Sequence, residues 1–301
     1  MARARRPTTG GQASKGGAPA PAPGDVVGSY RVLERIASGG MGRIYKVEHV
    51  DTHAVFAMKT LRGRYAFDAD AVSRFFLEAD AIASLTHVHV VAIVDLVDAP
   101  PWPPSFVMEL LEGETLADAL EREGPFTVER ARRIAVDVAG ALAAAHGKSL
   151  VHRDLKPENV FLARGAGDRE TVKVLDFGIA KLLDGSLGRK HVTALGRQIG
   201  TPGYMAPEQL MGAAGVDHRA DVYGIGILLF EMLTGHLPYE GTVSETLLAI
   251  ARKEPPLPST LRPAAAGPIP AWLDELVLRC LQKQAAGRPQ TMAEVLSALG
   301  Y

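Results

Sequence analysis

Between Tyr30 and Leu61 apolar and polar residues alternate in short runs: Tyr30-Arg31-Val32-Leu33-Glu34, then, after a glycine cluster, Arg43-Ile44-Tyr45-Lys46-Val47, then Ala54 to Thr60. Alternation in runs this short predicts three antiparallel strands. From Ala69 to Leu85 the period changes. Val72, Phe75, Phe76, Ala79, Ile82 and Leu85 recur at helical spacing with Arg74, Glu78 and Asp80 interleaved, which predicts one amphipathic helix. Val88 to Val97 and Ser105 to Glu109 read as two more strands, parted by Pro100, Pro101, Pro103 and Pro104, which a strand interior does not tolerate. After Gly113 helical spacing dominates, in Thr115 to Arg122, Val128 to His146, Ala220 to Leu233, Ser244 to Arg252, Trp272 to Leu281 and Met292 to Leu299. The predicted fold class is therefore α+β, a small antiparallel β lobe with one helix followed by a larger, mainly α lobe. No fixed-period repeat is present, which disfavours solenoids and propellers.

Length and composition fit this picture. A chain of 301 residues with 47% hydrophobic and 22% charged residues suits one large domain or two lobes. Residues 1–24 carry Pro7, Pro19, Pro21 and Pro23, several glycines, Arg3, Arg5, Arg6 and Lys15, and no acidic residue, the composition of a disordered basic leader. The predicted lobes are then 25–111 and 112–301. With 33 basic residues against 34 acidic ones, the chain lacks the basic excess of a nucleic-acid binder. It has no stretch of roughly 18 apolar residues for a membrane span and no apolar secretory core, so the expected location is the cytoplasm. Cys280 is the sole cysteine and, beside Leu278 and Leu281, reads as a packed thiol.

Four segments carry chemistry. Ile36-Ala37-Ser38-Gly39-Gly40-Met41-Gly42-Arg43-Ile44 joins two strands, and its glycines let backbone amides approach phosphate oxygens; a plain hairpin turn is the other reading. Lys59, in Val55-Phe56-Ala57-Met58-Lys59, lies among apolar residues and needs an anion, either phosphate or a carboxylate such as Glu78 on the following helix. The run His152-Arg153-Asp154-Leu155-Lys156-Pro157-Glu158-Asn159 places an acid, a base and an amide in one loop. Asp154 can accept a hydroxyl proton, Lys156 can balance a transferring phosphoryl group, and Asn159 offers an oxygen to a hard cation. Asp176, in Val174-Leu175-Asp176-Phe177-Gly178, adds a carboxylate from a second loop, so the two oxygens suit a metal held mainly by nucleotide phosphates.

In this order and at these spacings, the segments resemble the eukaryotic-type (Hanks-type) Ser/Thr protein kinase family, from about Tyr30 to Leu299. The Gly-Gly-Met-Gly loop and Gly200-Thr201-Pro202-Gly203-Tyr204-Met205-Ala206-Pro207-Glu208 resemble its bacterial members most. The resemblance implies a bilobal kinase fold and transfer of the γ-phosphoryl group of ATP to protein Ser/Thr hydroxyls. The cation implied is Mg²⁺, with Mn²⁺ as the alternative. It implies that Lys59 holds the α and β phosphates and pairs with Glu78, that Asp154 is the base, and that Asn159 and Asp176 hold metal. It places Met108 as gatekeeper, Glu109 to Leu111 as the adenine-binding hinge, and Ala57 and Phe161 on either side of the ring. Thr201 corresponds to the threonine that contacts the catalytic aspartate, Glu208 pairs with Arg288, and Asp221 braces the catalytic loop.

Two departures stand out. Ala37 replaces the first family glycine, stiffening the loop, and the family's His-Pro-Asn junction reads His87-Val88-His89, which raises a metal or pH role for the two histidines. Ser186, Thr193 and Thr201 fall in the activation segment, and Arg153 is placed to receive a phosphate, Thr193 being the expected autophosphorylation site. The partners expected are protein substrates and a second copy of the chain for trans-autophosphorylation. The rival readings are a pseudokinase scaffold, which usually lacks the lysine, base or metal positions, and a small-molecule kinase of related fold, which does not carry Lys156 together with Ala206-Pro207-Glu208.

Overall fold

The computed structural model describes residues 19–38, 42–61, 65–66, 68–165, 170–177, 202–212 and 215–301; the side chain of Glu78 and all remaining residues lie outside that description. The described chain opens with Val26–Val27 (β1), Tyr30–Ser38 (β2), Gly42–His49 (β3) and Val55–Leu61 (β4). After the helix Ala69–Ala83 (α1) come Ile93–Val97 (β5) and Ser105–Glu109 (β6). These strands form one antiparallel sheet in the order β1-β2-β3-β4-β6-β5.

Helix α1 starts where Asp68 accepts hydrogen bonds from the backbone N–H groups of Asp70 and Ala71 at 3.0 and 3.1 Å, satisfying orphan donors of the first turn. Its stripe Ala71, Phe75, Ala79 and Ile82 is buried against one face of the sheet, where the Phe75 and Phe106 rings lie 5.4 Å apart. The other face is apolar too: Val32, Tyr45, Val47, Met58 and Val107 form a second core. The proline-rich loop covers it, Trp102 packing there and donating its indole N–H to the Val26 carbonyl at 3.0 Å.

The strand expected over Val88 to Val97 begins only at Ile93. Val90 and Val91 are buried in the main core and attach instead to the second lobe, where Val90 pairs in parallel with Val174. The backbone closes this junction through Val174 N–H to His89 O at 2.8 Å and Val91 N–H to Val174 O at 3.2 Å. Only Val90 and Val91 are buried here while Val88 and Ala92 are exposed, and two adjacent buried valines in an apolar-rich stretch carry no strand period.

The second lobe adds a sheet that helical spacing did not reveal: Gly113–Thr115 (β7), Val160–Arg164 (β8) and Glu170–Val174 (β9), antiparallel in that order. Gly113 permits it, because a Cβ there would fall 2.1 Å from the Leu162 carbonyl oxygen and the backbone has φ 144°. The helices are Leu116–Glu123 (α2), Val128–His146 (α3), Pro207–Leu210 (α4), Arg219–Thr234 (α5), Val243–Arg252 (α6), Pro258–Leu261 (α7), Ala271–Cys280 (α8) and Met292–Ala298 (α9). Helix α5 is buried on every side from Ala220 to Phe230 and packs against α3 and α8, where Cys280 is buried as expected. Among the described residues no helix is long and apolar enough to cross a membrane.

Candidate active site

The strand period aims Lys59 inward. Ala57 and Leu61 of β4 belong to the core shared with α1, Met58 belongs to the core on the opposite face, and Lys59 shares the face of Ala57 and Leu61. Its Nζ lies 2.5 Å from Oδ1 of Asp176, just beyond β9, and its side chain is only 15% exposed. The anion that a lysine in this setting requires is thus a carboxylate of the other lobe. The helix position of Glu78 is as expected, but its side chain lies outside the described residues.

The loop His152 to Asn159 is held from below. Asp221 of α5, 1% exposed, accepts the backbone N–H groups of His152 and Arg153, both at 2.8 Å, and a third bond from Nε2 of His146 at 2.7 Å. Arg153 has φ 62°, a left-handed conformation that costs a residue with a Cβ energy and here is held by those bonds. His152 is fully buried. Its Nε2 donates to Leu175 O at 2.9 Å and its Nδ1 accepts Asp154 N–H at 3.3 Å, so one imidazole ties this loop to the segment leading into Asp176. Phe177 packs on the same ring at 4.8 Å.

Within the loop, the Asn159 amide donates to the Asp154 carbonyl at 2.7 Å and to Asp154 Oδ2 at 3.2 Å. Lys156 Nζ lies 3.4 Å from the same Oδ2. The amide nitrogen of Asn159 is spent on orienting Asp154, which leaves the carbonyl oxygen as the atom it can give a cation. Asp176, with φ 50°, is likewise in a left-handed backbone conformation.

Ile36 and Ser38 end β2, Ala37 pairs with Ile44, and Gly42, Arg43 and Ile44 open β3. A Cβ on Gly42 would lie 2.6 Å from the Thr60 carbonyl oxygen, so close strand approach demands glycine there. Gly39, Gly40, Met41, Thr201, Ser186 and Thr193 lie outside the described residues. Met108 and Glu109 end β6, with Ala57 opposite Met108; Leu111 follows, and Phe161 lies on β8.

Three partners were not legible from the sequence. His146 joins Asp221 as above, and Lys173 of β9 reaches the end of β6, 2.7 Å from Oε1 of Glu109. The third is Glu231, which accepts the Tyr204 hydroxyl at 3.0 and 2.9 Å beside a cavity of about 380 Å³ that Pro157 and Glu158 also line. An acid inside Leu229-Phe230-Glu231-Met232-Leu233 was the available signal. Burial pushes its carboxyl up to about 7, with Glu158 and Glu240 adding to the effect and the Tyr204 bond opposing it. Because the folded state favours the protonated form, its stabilising share is complete below the unfolded value of 4.5 and is lost as pH rises through about 7. Glu231→Gln, which keeps an acceptor for Tyr204, is therefore expected to gain about 2 kcal/mol on the parent between pH 5 and pH 8. Urea denaturation of both proteins at the two pH values checks this, and a difference that does not change with pH contradicts it.

The profile of the family described as protein kinase domain matches residues 30–298. The chain is 40% identical over 274 residues to serine/threonine-protein kinase Pkn1 of Myxococcus xanthus, covering 90% of this chain and 38% of that protein. It is 36% identical over 273 residues to PknB of Mycobacterium tuberculosis, covering 90% of this chain and 42% of that one. The crystal structure of the M. tuberculosis PknI kinase domain superposes with a TM-score of 0.71 at 27% identity, covering 93% of this chain and 99% of that one. The chain spans less than half the length of these two curated relatives.

Proposed function

The chain belongs to the protein kinase family, and from that premise we propose that it transfers the γ-phosphoryl group of ATP to Ser and Thr hydroxyls of proteins. The observation that carries this reading is the Lys59–Asp176 contact between the lobes beside the Asp154–Asn159 pair. It joins, in one cleft, a cation for phosphate, a base, and two oxygens for a metal.

The residues fit the groups such a reaction needs. The Asp176 carboxylate and the Asn159 amide oxygen are hard ligands. Among the described residues no group of three or more His, Cys, Asp or Glu is arranged to hold a metal by itself, so a cation here draws the rest of its shell from phosphates and water. Bound ATP supplies the phosphoryl group, and a divalent cation, Mg²⁺ or alternatively Mn²⁺, screens its charge. Lys59 offers its ammonium to phosphate oxygens, while the backbone from Glu109 to Leu111 holds the base between Ala57 and Phe161. Asp154 takes the proton of the attacking hydroxyl at its carboxylate, and Lys156 balances the charge that develops next to it. Residues 25–111 then act as the nucleotide-covering lobe and 112–301 as the substrate lobe, with Thr193 as the site of self-phosphorylation.

The test is incubation of the full chain with γ-labelled ATP, Mg²⁺ and a generic protein substrate, beside Asp154→Asn and an arm with excess chelator. Label on substrate Ser and Thr is expected from the parent with Mg²⁺ alone, with phosphate mapping to Thr193 of the chain itself. Equal label from parent and variant overturns the reading. Binding of ATP with no transfer indicates a scaffold, and transfer confined to small hydroxyl compounds indicates a small-molecule kinase.

A further inference from the structure

His89 stands between two acceptors. Its Nδ1 lies 2.9 Å from the Val172 carbonyl oxygen on β9, and its Nε2 lies 3.3 Å from Oδ1 of Asp137 on α3. A neutral imidazole has a single N–H, so it can donate to one of these oxygens and must turn a lone pair toward the other. The arrangement is satisfied only with one proton more, carried on the ring or on the carboxyl. Both partners are largely buried, at 20% and 21% side-chain exposure, so water does little to relieve an unmatched pair.

The position matters for the cleft. Besides its ring contacts, His89 accepts Val174 N–H through its backbone carbonyl at 2.8 Å. It therefore grips β9 at Val172 and at Val174, and the strand ends two residues before Asp176. The same residue belongs to the linker between α1 and β5, while Asp137 anchors it to α3, whose C-terminal end leads into the catalytic loop.

We propose that a proton shared by His89 and Asp137 is a structural component of the lobe junction, and that its removal at alkaline pH loosens the hold on β9 and on Asp176, making His89 a positioning residue. The link to Asp176 rests on the kinase reading; the presence of the proton does not.

The neighbours agree with this assignment. His87 accepts the His89 backbone N–H at its Nδ1 at 3.2 Å, and burial first, then the His89 charge, hold it below the usual histidine range, with Asp137 opposing. Burial pushes the Asp137 carboxyl up, Glu170 adding to that and His89, Arg133 and His87 opposing it, which favours a proton on the carboxyl. Arg133 from α3 is itself engaged by Glu170 of β9 at 2.8 Å, as is Arg130. His87, His89 and Asp137 are not arranged as a metal-holding group, and none of three or more such side chains is found among the described residues.

The proton is tested on the full chain labelled with ¹⁵N-histidine, the His89 signals being those that vanish in His89→Asn. Imidazole ¹⁵N spectra at pH 7 are expected to show both His89 nitrogens protonated or, if the carboxyl holds the proton, a single-proton ring whose Nε2 shift moves when Asp137→Asn is made. Asp137→Asn offers its own N–H to Nε2 and so should give a neutral ring whose state no longer changes up to pH 9. A neutral His89 with identical nitrogen shifts and pH response in parent and Asp137→Asn overturns the proposal, whether or not the chain transfers phosphate. For the positioning role, the Kd for ATP with Mg²⁺ is expected to rise about tenfold from pH 7 to pH 9 in the parent and to stay flat in Asp137→Asn. Equal pH dependence in both proteins removes that role.

Discussion

Asp154→Asn is expected to slow phosphoryl transfer about 10³-fold, close to 4 kcal/mol of transition-state stabilisation, while leaving the KM for ATP within about twofold. The substitution is nearly isosteric, and most of what holds the loop does not depend on the carboxylate. Asp221 fixes the backbone of His152 and Arg153, and Asn159 holds the Asp154 carbonyl at 2.7 Å. What disappears is the carboxylate proposed as the proton acceptor, together with the negative charge 3.4 Å from Lys156. The loss should therefore fall on kcat. Steady-state kinetics with varied ATP and varied protein substrate separates the outcomes: a variant slowed only through KM would make Asp154 a binding group, and unchanged kcat would remove it from the chemistry.

The parts of this site that could be read from sequence are those whose members sit close together along the chain. Asp154, Lys156 and Asn159 share one loop, so all three could be named from one stretch of sequence, although the bond and the ion pair that join them were not foreseen. Helix α1 was legible because Phe75, Ala79 and Ile82 repeat on one face, and α3 runs over the predicted span, Val128 to His146. The Glu208–Arg288 pair and the bracing by Asp221 came from the resemblance rather than from any periodicity. Gly113–Thr115 was too short to show alternation, although it completes the sheet below the cleft. Residues 88–92 looked like a strand because Val90 and Val91 are buried, yet their partner is Val174, more than eighty positions away. For the same reason the pairing of Lys59 with Asp176, of His89 with Asp137 and of Glu231 with Tyr204 had no local signature. Each joins separate segments, and burial, not sequence spacing, sets its energy.

Removal of the Arg288 side chain is expected to produce the largest loss of stability. The guanidinium is 0% exposed and bidentate to Glu208, at 2.7 Å to Oε1 and 2.8 Å to Oε2. It also donates to the carbonyls of Gln282 at 2.8 Å, Arg219 at 2.9 Å and Lys283 at 3.1 Å, and lies 5.1 Å from the Tyr223 ring centroid. Arg288→Met fills part of the volume but leaves a largely covered carboxylate without its counter-ion and three carbonyls without a donor, at a cost of about 4 kcal/mol. Against a typical domain stability of roughly 5 to 15 kcal/mol, that is a large fraction. Glu208→Leu alone should also destabilise, since it strands the guanidinium, whereas the double variant should recover part of the sum because neither charge is left unpaired. Urea denaturation of the two single variants and the double one tests this; Arg288→Met within about 1 kcal/mol of the parent would show that the pair is worth no more than an exposed one. The effect should reach the active site as well. Glu208 belongs to α4, and the next residue, Gln209, accepts Ala206 N–H at 2.9 Å and donates to the Arg153 carbonyl at 2.7 Å. Losing the anchor of α4 therefore loosens a support of the residue that immediately precedes Asp154, and kcat should fall in Arg288→Met even at temperatures where the chain remains folded.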